Sequence, residues 1–159
     1  MIKWRKIRSF FQLNTRMKLL IIEAFLTLAW ARLKKSKDFA NVASALGKHM
    51  NETGFHANDE NKEILHLISR AIHLVSPYTF WESECLVKAI AGMKMLERRE
   101  IESTLYLGMA KDETGLIAHA WLRSGTFYIS GSEGMERFTV VAKFAKSIKS
   151  KGENYEEQT

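Results

Sequence analysis

The scarcest residues in this chain are cysteine and proline, each present once, as Cys85 and Pro77. One thiol excludes an internal disulfide, and with it the structural zinc sites that need paired cysteines. A lone free thiol fits a reducing compartment, so a cytoplasmic location is expected. Long apolar runs are missing too. The nearest, Leu19–Leu33, covers fifteen residues and is interrupted by Glu23 and Arg32, whereas a spanning helix needs about twenty apolar residues. No small-residue cleavage site follows it and Lys34, Lys35 and Lys37 come next, so a signal peptide is not expected. The run reads as a helix buried on most sides, with peripheral contact at a membrane surface as the alternative.

Acidic residues are scarce at the start of the chain. Residues 1–37 hold ten Lys/Arg against Glu23 alone, and the remainder holds fourteen against seventeen Asp/Glu. The overall charge of +6 is therefore a property of the N-terminal region. Such a region suits an acidic peptide, a partner protein or anionic lipid. Nucleic acid is not expected, because no base-reading motif accompanies the charge. A 46% hydrophobic content over 159 residues is ample for one folded domain with a helical extension.

The periodicity changes halfway along. Asn14 or Thr15 can cap a helix reaching Lys35, whose basic last turn complements the helix dipole. Phe39, Val42, Ala45 and Leu46 predict a short helix over 38–50, broken by Asn51–Gly54. Asn58 or Asp59 opens a third, with Ile64, Leu65, Ile68, Ile72 and Val75 on one face, and Pro77 ends it by forcing Ser76 out of helical geometry. A fourth helix is expected over 84–98. Strands follow over Ser103–Met109, Leu116–Leu122, Thr126–Ile129 and Arg137–Phe144, the first two joined by a turn at Lys111–Gly115. The pattern predicts an α+β fold. Residues 1–76 form a helical N-terminal region, 77–148 a core of one helix packed on a small antiparallel sheet, and 149–159 a flexible polar tail.

Cys85 falls at the start of the fourth helix, and His119, thirty-four residues on, lies on a strand that runs into a turn. A thiol attacks acyl groups as its thiolate, which a helix N-terminus and a nearby imidazolium both favour. Ser83 as N-cap would place Cys85 in the first turn, whereas a Thr79–Glu82 capping box would start the helix earlier. Glu82 and Glu84 oppose thiolate formation in either case. Taken alone, a single cysteine is more often a small buried hydrophobe and a single histidine an ordinary hydrogen-bonded side chain.

The combination carries a resemblance. Cys85-Leu-x-x-Ala89 at a helix start, the strand Thr104-Leu-Tyr-Leu-Gly108, and His119-Ala-Trp121 before a glycine turn resemble the transglutaminase/papain-like cysteine peptidase core, over about residues 80–145. In detail they are similar to the leader peptidases of lasso-peptide biosynthesis. The resemblance implies a cysteine endopeptidase that cleaves the leader from a ribosomally made precursor peptide. Cys85 would be the nucleophile, His119 the general base, and the Cys85 N–H a donor to the oxyanion. It also implies a separate leader-recognition protein and an ATP-dependent lasso cyclase as partners, with no cofactor and no metal.

One position departs from the family pattern. The third catalytic residue, usually an acid or amide that orients the histidine, falls on Ser130; Glu133 and Glu136 are near enough in sequence to take its place. His66 and His73, two helical turns apart, lack further ligands in register. Trp81 walls a cleft or anchors the core, and the basic stretch at 3–8 is a solvated face or a docking surface. Two other readings stand beside the peptidase: an acyltransferase or amidase acting on another substrate, and a non-catalytic scaffold with a decayed site.

Overall fold

The computed structural model describes residues 13–35, 39–56, 59–79 and 84–148. Trp4, the basic stretch at 3–8, Trp81, Ser83 and the tail from 149 lie outside them. The order of elements is α1 (Thr15–Lys35), α2 (Phe39–Ala45), β1 (Lys48–His49), α3 (Lys62–Val75), α4 (Cys85–Glu97), β2 (Ser103–Asp112), β3 (Gly115–Ser124), β4 (Phe127–Ser130) and β5 (Thr139–Lys146). All pairings are antiparallel, in the order β1-β5-β2-β3-β4. The fold is α+β, as the change of period predicts.

Asn14 caps α1, its Oδ1 accepting from the Met17 N–H at 2.9 Å. Met17, Leu20, Ala24, Thr27, Leu28 and Ala31 are its buried positions, a stripe at helical spacing. Glu23, the acid inside the apolar run, is held by Arg99 at 2.6 Å and lies 3.7 Å from Arg98, both in the turn after α4. The run therefore packs against protein on one side and uses its single acid to fix the end of the next layer. Among the described residues no helix is long and apolar enough to cross a membrane.

Three boundaries differ from expectation. The helix expected over 38–50 stops at Ala45, because Lys48 and His49 pair with Ala145 and Phe144 as an edge strand and Met50 N–H bonds the Lys143 carbonyl at 2.8 Å. Ser76 keeps helical dihedrals; Pro77 instead sits in a 3-10 turn over Ser76–Tyr78, where its missing N–H interrupts the α ladder without turning the chain out. The β2–β3 turn is two residues rather than five. Asp112 pairs Gly115, and the Asp112 carboxylate takes over the turn by accepting from Thr114 N–H and Oγ1 at 2.8 and 2.7 Å.

Helices α1 and α3 pack on α4, and α4 packs on the sheet, around one buried cluster that runs from Met17 to Phe144. At Gly92, in the middle of α4, a Cβ would come within 2.7 Å of Leu122 and 3.2 Å of both Ile129 and Ile72. Leu122 thus marks the sheet face that α4 covers. Side chains alternate along a strand, so Ala120 and Leu122 point to α4 while His119, Trp121 and Arg123 emerge on the other face.

That second face is closed by the segment 51–55 and centred on Arg123, which is 1% exposed. All five guanidinium N–H donors are used. Nε donates to Tyr106 Oη at 3.0 Å, Nη1 to the carbonyls of Gly54 and Gly125 at 3.1 and 2.5 Å, and Nη2 to the Thr53 carbonyl and Glu52 at 3.0 and 3.3 Å. Glu52 also accepts from the Tyr106 hydroxyl and from Lys143 Nζ, the latter at 2.7 Å. Phe55 lies over the guanidinium at 3.5 Å. The Lys143 bond, followed by that of Tyr106, holds the Glu52 carboxyl below its ordinary value.

Replacing Arg123 by Met should cost about 3 kcal/mol or more, since three backbone carbonyls lose their donor; urea unfolding measures it, and Arg123→Lys, lacking the fork, should recover less than half. Burial, reinforced by its bond to Glu52, pushes the Tyr106 phenol from 10.0 up to about 12. A raised phenol contributes stability that is full below pH 10.0 and lost as pH climbs toward about 12. Alkaline titration of phenolate absorbance should therefore show one late phase, and Tyr106→Phe should remove it.

Candidate active site

Cys85 is the first residue of α4, with Glu84 in extended geometry at the N-cap position. Thr79 Oγ1 donates to the Ser76 carbonyl at 2.9 Å, and Glu82 and Ser83, on which the two expected caps depend, lie outside the described residues. The Glu84 side chain makes no cap bond. Its carboxylate instead pairs with Lys35 Nζ at 3.1 Å, which ties the end of α1 to the start of α4 and offsets the charge beside the thiol. Cys85 is half-buried and packs at the border of the core. The first intrahelical acceptor is the Glu84 carbonyl, bonded by Lys88 N–H at 3.0 Å. The amides of Cys85, Leu86 and Val87 precede that first bond, where a helix offers N–H groups to an anion.

His119 stands in the middle of β3, opposite Gly108 of β2. Its Nε2 is 2.8 Å from the Gly131 carbonyl, so Nε2 carries the proton in the neutral ring and Nδ1 is the basic nitrogen. Trp121 stacks on one side of the ring at 5.9 Å, Phe138 lies at 5.0 Å, and Tyr106 continues the stack beyond Trp121. Gly108 makes room for this: a Cβ there would lie 2.8 Å from the Trp121 ring. The glycine of the Thr104–Gly108 strand and the tryptophan of His119-Ala-Trp121 are thus two halves of one packing contact.

The structure does not join the two principal residues. The imidazole leaves β3 on the face away from α4, and among the described residues no hydrogen bond connects it to Cys85. The β4 ladder on β3 covers only Leu122–Ser124, and past it Gly131 lies against Ala120 and Trp121. The ring is bonded to the carbonyl of this Gly131, just past the end of β4. Ser130 makes no hydrogen bond to His119. It is 3% exposed and its hydroxyl finds no partner among the described residues. Glu133 and Glu136 are exposed, and neither bonds His119.

The group that orients His119 is therefore a backbone carbonyl. No side-chain pattern announces a carbonyl; the available signal was Gly131 itself, whose φ of +74° suits glycine and whose Cβ would run into the Ala120 carbonyl. Elsewhere, His66 packs on Phe127 at 4.4 Å and His73 bonds the Ser69 carbonyl at 2.7 Å, each accounted for locally. Among the described residues no group of three or more His, Cys, Asp or Glu is placed to hold a metal.

Two substitutions separate the neighbours of His119. Ser130→Ala should leave the unfolding free energy unchanged or raise it by up to about 1 kcal/mol, since an unpaired buried hydroxyl disappears. Gly131→Ala should cost about 1–3 kcal/mol from its backbone conformation alone and displace the carbonyl. Urea denaturation reads both, and histidine NMR reads whether the Nε2 proton stays in place.

The model of the transglutaminase-like superfamily matches residues 26–143, which include α4, β1 to β4, most of β5, Cys85 and His119. No curated protein and no solved structure gives a significant match. That match spans most of the 159 residues, and the chain belongs to the transglutaminase-like superfamily, a fold on which cysteine-protease and acyltransferase-type chemistry is built.

Proposed function

We propose that this protein is a cysteine endopeptidase that removes the leader from a lasso-peptide precursor in the cytoplasm, acting with a separate leader-recognition protein. The observation that carries the proposal is the place of Cys85, the chain's single cysteine, at the first position of α4 within the matched stretch. The amides at that helix start favour negative charge as it develops on an oxyanion.

Cys85 Sγ bonds to the scissile carbonyl carbon while its proton passes to His119. The C–N bond then breaks, His119 returns the proton to the departing amine, and the leader remains as a thioester. Water adds to that thioester and releases the leader carboxylate and the free thiol. The reaction requires the two side chains to come together, and apo geometries of such pairs are commonly looser than the working ones. The freed amine end of the core peptide is what an ATP-dependent cyclase consumes, which makes that enzyme the second expected partner. Transfer of the acyl group to an acceptor other than water, on another substrate, uses the same first half-reaction.

The engagement of His119 Nε2 by the Gly131 carbonyl, with no hydrogen bond to Cys85 among the described residues, favours a different reading, a scaffold whose site has decayed. Incubating the precursor and its recognition protein with the full chain, with products weighed by mass spectrometry, decides between them. The peptidase should release an intact leader fragment. Cys85→Ala should abolish it, by at least about 10³-fold, and His119→Ala should slow it by about 10²–10⁴-fold. Equal cleavage with and without the thiol would end the enzymatic reading.

A further inference from the structure

Helix α1 has a second apolar face. Leu19, Ile22 and Leu26 are 62%, 51% and 61% exposed, and Leu33 continues the line. At about 100° per residue these four positions fall within about 60° of one another, opposite the stripe buried against α3 and α4. The same geometry puts Arg16, which pairs with Glu63 at 2.6 Å, and Lys34 on one flank of the ridge, with Lys18 and Arg32 on the other. Beside it stand Arg98 and Arg99, which share the single carboxylate of Glu23. The ridge is about 21 Å long at 1.5 Å per residue.

We propose that this ridge docks the protein on an anionic lipid surface, with α1 lying in the plane of the interface. A helix that lies rather than spans needs an apolar ridge of this kind flanked by diffuse positive charge, and α1 is too short in apolar length to cross. Ten of the first 37 residues are cationic against one acid, so the segment that contains α1 is strongly basic. A second copy is a poor occupant. Pairing two ridges about a two-fold axis sets cationic flank against cationic flank, and like charges across an interface are repulsive. A peptide partner needs placed polar groups to fix its register, and the ridge itself carries aliphatic side chains alone.

Flotation of the full chain with vesicles tests this independently of any peptidase activity. Vesicles rich in phosphatidylglycerol should carry the protein upward, vesicles of phosphatidylcholine alone should carry far less, and added salt should weaken the binding. The double variant Leu19→Glu/Leu26→Glu should bind at least about tenfold more weakly, with an unchanged unfolding midpoint because both positions are exposed. Leu116→Glu, an exposed leucine on the β2–β3 hairpin, should bind like the parent. The proposal is overturned if the parent ignores anionic vesicles, as it would were the ridge reserved for an acidic protein. It is equally overturned if the double variant floats as well as the parent, or if light scattering finds a parent dimer that the double variant breaks.

Discussion

Arg123 is the constraint on which the sheet's second face depends. A guanidinium at 1% exposure is tolerable only if each N–H finds an acceptor. Here the acceptors come from three separate places in the chain: Glu52, Thr53 and Gly54 before α3, Tyr106 on β2, and Gly125 in the β3–β4 turn. One side chain thereby fixes the segment that closes the face, the start of β2 and the tip of the β3–β4 hairpin. Thr53 adds a second anchor, its N–H and hydroxyl both meeting Thr104 Oγ1, at 2.9 and 2.8 Å. The aromatic stack of Tyr106, Trp121 and His119 lies directly beside this network, so the orientation of the imidazole is inherited from a charge buried four residues further along β3.

The opposite face obeys a different rule. There α4 is buried nearly all round, and Gly92 lets it approach Leu122, Ile129 and Ile72 at once. The helix that carries Cys85 is the central member of the domain, enclosed by α1, α3 and the sheet. Three ion pairs secure its ends to α1: Lys35 with Glu84 at the thiol end, and Glu23 with Arg98 and with Arg99 at the other. The thiol's position is thus set by apolar packing and the imidazole's by a buried ionic network.

What was legible in the sequence follows from the range of the forces involved. Helices α1, α3 and α4 announce themselves through period and capping, because those signals are local; Asn14 is the clearest instance. Strands β2 to β5 were visible from their β-branched and aromatic runs, with ends displaced by a few residues. Lys48–His49 was not visible, since a two-residue edge strand exists only through its pairing with Ala145 and Phe144. Ser76 escaped because proline's influence on its predecessor is a preference that a 3-10 turn can absorb. Arg123 gave no sign at all. Four of its five acceptors are backbone carbonyls or lie more than fifty residues away, and no motif encodes such a set. The spacing from His119 places the third position on Ser130. The bulge that interrupts the β3–β4 register between Leu122 and Arg123 shifts that spacing, leaving the hydroxyl unpartnered and the next carbonyl in its place.

The two candidate groups are held by different parts of the fold. Past Leu122 the β4 ladder ends, and the chain continues to Gly131, which lies against Ala120 and Trp121 and whose carbonyl accepts from Nε2 of His119. The orientation of the ring therefore rests on a backbone conformation that glycine adopts readily. The position of the thiol rests instead on the packing of α4 against α1, α3 and the sheet. Independent contacts thus place the two groups, one set in the loop after β4 and the other in the helical layer.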